Sequence, residues 1–335
     1  MDAIIYRSPD APYAGAYDVA GRPLLVRQLQ WLREIGAERV AVELSPSAEH
    51  ATIVRALDAD LALTAGVQRV VTRTPRSPEE LARRAGLGQR GPLLLVPSHV
   101  LGGVDVLRLL PRLHRSTRFE LRRPHELAML PPGHITVLLP DAPAVDEAQA
   151  PGWGVSLPTA LDALELAALV LSGGLEPDAA VGEVGVQIHA AESRPGIWLA
   201  RGAKVERGAR LTAPVYVGAD AVIRAGARVG PGVVLLERSV VERGATLHGV
   251  IVQPDVIVGE GVQLSASVVE PTGVADIETG EHLAVDDPLV LGLRPRRAER
   301  RDTRAIVAAL QQRRATTRLA LAAVKTRSGS HDVRS

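Results

Sequence analysis

From Leu199 onward an aliphatic residue recurs at every sixth position: Leu199, Val205, Leu211, Val217, Ile223, Val229, Leu235, Val241 and Leu247. A short fixed period of this kind marks a solenoid, in which each repeat supplies one strand and buries its apolar face only against its neighbours. After Leu247 the phase slips by one residue and resumes at Val252, Val258 and Leu264. That predicts three turns of the solenoid and roughly one further turn stacked on them.

The other hexad positions also repeat. The fourth is held by Gly202, Gly208, Gly226, Gly232, Gly244 and Gly261, with Asp220 and Asp255 in the same role. These residue types tolerate the positive φ of a tight corner. The fifth is small or β-branched, as at Ala203, Ala209, Val215 and Ala221, which suits a side chain tucked under that corner. Polar residues take most remaining places, so the pattern predicts a prism with a dry interior and a wet outside.

Residues 1–150 alternate strand-like and helix-like stretches, the signature of a parallel α/β sheet. Strands are predicted at Ala3–Tyr6, Val40–Leu44, Val67–Thr72, Leu93–Val96 and Ile135–Leu139. Helices are predicted at Arg22–Ile35, Ala48–Leu57, Pro78–Ala85, Asp105–Leu113 and Ala160–Leu171. Gly36 ends the first of these as a C′ residue would. The chain thus divides into an α/β domain (1–171), a linker (172–195), a β-solenoid (196–285) and a helical tail (286–335).

The segment Ala20-Gly21-Arg22-Pro23-Leu24-Leu25 through Gly36-Ala37 resembles the first-helix segment of sugar-nucleotide pyrophosphorylases. The hexads from Gly196-Ile197-Trp198-Leu199 are similar to the left-handed β-helix appended to mannose-1-phosphate guanylyltransferases. The resemblance implies a nucleotidyltransferase-like Rossmannoid sheet followed by a left-handed parallel β-helix. It also implies transfer of a nucleotidyl group to a sugar 1-phosphate, with Mg²⁺ as cofactor. Such chemistry concentrates negative charge and calls for a divalent cation, cationic side chains and backbone N–H donors.

Several of the family's expected groups are missing. The stretch after the first strand, Arg7 to Val19, has one glycine and two prolines, and each proline lacks an N–H. Val19 stands near the family's lysine. Ser98-His99 occupies the place of one metal carboxylate, and Val155, after Trp153, the place of the other. The sequence therefore predicts a catalytically impaired member with a regulatory or scaffolding role. The alternative is an active enzyme with an altered site. In that case Arg7 and Arg22 are candidates to touch phosphate, and Asp10 and Asp105 to hold a metal ion. Expected partners are a second copy of the chain, a catalytic pyrophosphorylase, and a nucleotide or sugar nucleotide.

Composition adds a charge asymmetry. Residues 292–335 carry eleven arginines and Lys325 against Glu299, Asp302 and Asp332, so the rest of the chain is net acidic although the total is +1. Thr303–Val324 has the pattern of a basic amphipathic helix, suited to a membrane surface or to covering the solenoid's open end. No aromatic residues interleave its arginines, so nucleic acid is not expected. With no cysteine, disulfides and thiolate metal sites are excluded. No secretory leader or membrane-length apolar run is read, and a cytoplasmic location is expected. Hexad solenoids also carry acyl transfer with a histidine base. His248, at the phase slip, and His189 are the candidates for that third function.

Overall fold

The computed structural model describes residues 1–294 except 12–13, 47–48, 90, 105, 124–126, 141–144, 173–187, 278 and 280. The linker, except its ends, and the basic tail beyond Arg294 therefore lie outside the described residues. Residues 1–292 form one compact unit.

The first half runs β1 (Asp2–Tyr6), β2 (Asp18–Val19), β3 (Arg22–Pro23), α1 (Leu24–Glu34), β4 (Arg39–Leu44), α2 (Glu49–Ala59), α3 (Leu61–Thr64), β5 (Val67–Val71) and α4 (Pro78–Ala85). It continues with β6 (Leu93–Pro97), β7 (Val100–Val104), α5 (Val106–Leu109), β8 (Ser116–Arg122), β9 (His134–Leu138), β10 (Val145–Ser156) and α6 (Ala160–Leu171). Local sequence sets the helix limits. In α4, Ser77 accepts from Glu80 N–H, Pro78 takes the first turn, and Gly86 ends the helix at φ 63°. In α6, Thr159 and Asp162 form a reciprocal capping box.

The eight strands order as β5-β4-β1-β6-β9-β8-β10-β7. Only the β5-β4-β1-β6 half is all parallel. β9 runs antiparallel to both β6 and β8, and β7 antiparallel to β10. The sheet is thus mixed, where the alternation of elements predicted a parallel one. β7 follows β6 through Ser98-His99 alone, with no crossover helix between them.

The hexads build three parallel ladders. On the first face Leu199 pairs with Val217, Val217 with Leu235, Leu235 with Val252, and Val252 with Val269. On the second, Val205 pairs with Ile223, then Val241, then Val258. The third runs Leu211, Val229, Leu247, Leu264. Val217, Ile223, Leu235, Val241, Leu247, Val252 and Val258 are all 0% exposed and share one core. Antiparallel strands flank the first-face ladder, Ala191–Arg194 before it and Gly273–Asp276 after it, so its outer hydrogen-bonding edges are paired.

The ladders explain the phase slip. Between the third face and the first, early coils use three corner residues, Thr212-Ala213-Pro214 and Gly230-Pro231-Gly232. Later coils use two, His248-Gly249 and Ser265-Ala266. Register survives because the missing residue comes from the corner, not from a strand. The corner residues expected at positive φ are there: Gly232 at 71°, Gly261 at 70°, Asp220 at 54° and Asp255 at 67°.

The prism is not wet all round. Trp198, Tyr216, Val234, Ile251 and Val268 point outward from the first face in successive coils. Tyr216, Val234, Ile251 and Val268 belong to a second core with Val19, Leu24, Val155, Leu166 and Leu171 of the α/β half, and Trp198 packs at its edge. Trp198 Nε1 also donates to Leu171 O at 2.9 Å. The two halves predicted as separate domains therefore share a core. The third face keeps the expected polarity, with Arg210, Arg228 and Gln263 exposed. No helix among the described residues is long and apolar enough to cross a membrane.

Candidate functional site

Two places bring chemistry-bearing side chains together. The first is the carboxyl edge of the parallel strands, where the resemblance locates phosphate chemistry. Arg7 directly follows β1 and is 1% exposed. Its Nη2 donates to Thr72 O and Thr72 Oγ1, each at 2.8 Å, and lies 3.7 Å from Glu43 Oε1. Its backbone N–H donates to Glu43 Oε2 at 2.8 Å. Glu43, also 1% exposed, accepts from Thr72 Oγ1 at 2.5 Å and from Arg76 N–H at 3.0 Å. This network laces the ends of β1, β4 and β5 and gives the buried carboxylate three hydrogen-bond donors, with a guanidinium nearby. The two charges face each other inside the protein, although Arg7 Nε is buried without a hydrogen-bond partner among the described residues.

Beside it, Ser98 N–H donates to Tyr6 O at 2.7 Å, and Ser98 is 1% exposed. Ser98 Oγ and His99 Nδ1 are buried without a partner among the described residues. Burial depresses the His99 pKa, opposed by Asp10 and reinforced by His134. Asp10 is exposed in a turn bridged by Ser8 and Ala11. Asp105 lies outside the described residues. Val155 is 0% exposed and Trp153 6%, both in the second core, so the place of the second carboxylate faces apolar side chains. A divalent ion takes several oxygen ligands. No group of three or more acidic or histidine side chains among the described residues is arranged to supply them. Among the described residues, no set of side chains fits Mg²⁺.

The second place is the seam between the β2–β3 hairpin and the outer first face of the solenoid. Asp18 Oδ1 accepts from Gly21 N–H at 2.7 Å. Arg27, from α1, donates to Val19 O at 2.8 Å and Ala20 O at 3.0 Å. Carboxylate and guanidinium thereby hold the hairpin from both sides. Gly21 sits at φ 91°, and a Cβ there would stand 2.1 Å from Tyr216 Oη. Only glycine lets the hairpin tip rest on the tyrosine. A cavity of about 480 Å³ opens here, lined by Arg22, Arg55, Asp60, Tyr216 and Glu237 among others. Arg7, Ser98 and His99 do not line it.

Electrostatics at the seam follow from burial. Desolvation pushes Asp18 up to about 6, against the Gly21 N–H and Arg27. It lowers Arg27 to about 10, leaving that group charged at neutral pH. His189 is driven down to about 4 by burial, then by Arg22 and Arg27, and its Nε2 has no partner among the described residues. The signs oppose. Between pH 4 and 6 the folded chain keeps a proton on Asp18 that the unfolded chain releases, so this contribution to stability falls as pH rises. The folded chain refuses a proton on His189 that the unfolded chain accepts below 6.5, so that contribution falls as pH drops toward 4. Asp18→Asn keeps the acceptor for Gly21 and removes only the first slope. Its urea midpoint is expected to climb more steeply than wild type from pH 4 to 6.5, and parallel profiles would refute the assignment.

Of the candidate site residues, Arg22 lines the seam cavity. Arg7 lies inside the sheet edge, Asp10 on the surface, and His248 exposed opposite Ser265 on the solenoid with no hydrogen-bonded carboxylate among the described residues. Sequence reasoning missed Arg27 and Tyr216 as partners of Asp18. The available signal was the large side chain at Tyr216, one coil after Trp198.

No family model matches this chain, and no curated protein matches it. Among solved structures, HddC from Yersinia pseudotuberculosis complexed with GMP-PN aligns with a TM-score of 0.36 and 14% identity. That alignment covers 50% of this chain and 97% of HddC. A second HddC structure from the same organism aligns with the same TM-score and coverage at 13% identity.

Proposed function

We propose that this chain is a nucleotidyltransferase-like protein of sugar-nucleotide metabolism whose α/β half serves as a platform on a left-handed, hexad-repeat solenoid, without nucleotidyl transfer of its own. The observation that carries this is the strand edge. Where a nucleotide and its metal would need open cations and paired carboxylates, Arg7 and Glu43 are buried and matched to each other and to Thr72. The place of the second carboxylate is a core valine, Val155. Fold likeness does not restore missing groups. In this role the protein acts through assembly, with copies of itself and with a catalytic pyrophosphorylase.

The test is direct. The purified protein is incubated with Mg²⁺, each nucleoside triphosphate and a panel of hexose 1-phosphates while pyrophosphate release is followed. Release is expected to stay at the no-enzyme background for every pair. Turnover with any pair, lost in Arg22→Ala, would establish the active-enzyme alternative instead.

A further inference from the structure

The trailing end of the solenoid carries charge of one sign. From Gly244 to Gly292 the chain has eight carboxylates and neither lysine nor arginine, so the earlier coils hold every lysine and arginine of the solenoid. Asp255 is answered from outside this stretch by Arg238 and Arg55. Glu260, Glu281, Asp286 and Asp287 are exposed, and none of them is ion-paired among the described residues.

Apolar side chains open at the same end. On the first face the inward ladder continues past Val252 through Val269 and Val274 to Leu283. Directly opposed residues share one face of a sheet, so Leu283 lies on the core side of the last strand. Val269 is 0% exposed, whereas Leu283, at the end of the ladder, is 69% exposed. Leu289 is 79% exposed and sits beside the second-face corner, where Gly259 N–H donates to Val290 O at 2.8 Å. Asp286 and Asp287 lie between these leucines in the chain, and Glu260 follows Gly259.

Such a surface sets the chemistry of what covers it. Exposed leucines call for apolar side chains, and a rim of carboxylates attracts lysine or arginine and repels acidic partners. A second copy docking through the same end would set carboxylate against carboxylate, which opposes a self-complementary contact. The free strand edge spans only three residues, His282–Ala284, too few for an added strand to be held by main-chain bonds alone. We propose that the trailing end of the solenoid is a docking surface for a cationic amphipathic helix of a partner protein. The helix sets its apolar stripe on Leu283 and Leu289 and its cations on Glu260, Glu281, Asp286 and Asp287. This goes beyond the platform reading: it holds whether or not the strand edge turns over substrate, and its test measures no turnover.

The probe is a fluorescent peptide of about five helical turns, with leucines on one stripe and arginines elsewhere. The full chain is titrated into it at pH 7.5 while anisotropy is followed. The peptide is expected to bind, and to weaken roughly 10-fold between about 0.05 and 0.5 M salt, because the rim carboxylates are open to screening. Peptides with glutamate in place of arginine, or serine in place of leucine, are each expected to bind at least about 10-fold more weakly. Leu283→Ser with Leu289→Ser removes only exposed apolar groups. It is expected to melt within a few degrees of wild type and to weaken the arginine peptide about 10-fold. Asp286→Asn with Asp287→Asn keeps the acceptor for Leu289 N–H. That pair is expected to weaken the peptide about 3-fold and flatten the salt dependence, and it carries the test should the serine variant not fold. Glu147→Gln, at an exposed carboxylate of β10, is expected to change nothing. No binding by the full chain, or wild-type affinity in both double variants, would overturn the proposal. So would a dimer of the full chain that Leu283→Ser dissolves, which assigns the surface to a second copy. Binding at least about 10-fold tighter in a chain ended at Gly292, the limit of the compact unit, would overturn it as well, because the chain's own residues 293–335 would then be the occupant.

Discussion

Glu43→Ala is expected to destabilise the protein by about 3–5 kcal/mol, the usual consequence of stripping one partner from a buried ion pair. The loss is large because three hydrogen-bond donors converge on that carboxylate, the Arg7 and Arg76 backbone N–H groups and Thr72 Oγ1, with the Arg7 guanidinium 3.7 Å away. Removing it leaves Arg7, at 1% exposure, as an uncompensated charge between strand ends. Against a typical total stability of about 5–15 kcal/mol this is a large fraction. Urea unfolding followed by far-UV circular dichroism gives the number. The double variant Arg7→Met, Glu43→Leu removes both charges and is expected to recover part of the loss, with Thr72 Oγ1 and the backbone N–H groups of residues 7 and 76 still short of an acceptor. A cost below about 1 kcal/mol for Glu43→Ala would mean that the pair does not hold the edge, and the platform reading would lose its main support.

Val234→Asp and Arg228→Asp introduce the same charge at outward positions of neighbouring ladders, yet their expected effects differ greatly. Val234 is 1% exposed in the core shared with α6, where an aspartate would lie among apolar side chains. Its cost is expected to be about 4 kcal/mol or more, from lost apolar burial and an unpaired carboxylate together. Arg228 is exposed on the third face, beside Arg210 in the ladder, and its replacement is expected to stay within about 0.5 kcal/mol. Because the shared core joins hairpin, α6 and solenoid, wild type is also expected to lose the α/β half and the solenoid in one calorimetric transition. Two resolved transitions, with Val234→Asp moving only one, would show that the seam is a weak contact between independent bodies.

Much of the solenoid was legible in the sequence because its physics is local. A six-residue period fixes which side chains enter the prism, and glycine or aspartate marks most corners that need positive φ. Arg238 and Ala266 also take positive φ, at 61° and 42°, but neither residue type advertises it. The dry outer face was written in the chain as well, in Trp198, Tyr216, Val234, Ile251 and Val268. Those residues repeat once per coil, not once per hexad, so a search at the shorter period passes over them. In the α/β half, helices with clear caps were read nearly to the residue, as the amphipathic α4 and the largely apolar α6 show. β8 alternates buried Thr117, Phe119 and Leu121 with exposed neighbours, yet nothing in its composition says that β9 will run antiparallel to it. The seam was the least legible part. Gly21 and Tyr216 meet across almost 200 positions, and only the folded chain brings Asp18, Arg22, Arg27 and His189 within range of one another.

The two-residue corner at His248-Gly249 separates chain length from coil register. A deletion within a strand would turn its inward residues outward, whereas here one residue is gone and Leu247, Val252 and Leu264 remain in the core. Insertions and deletions in this protein therefore have permitted addresses, the corners. Related chains of different length can stack the same rungs while their residue numbers drift apart.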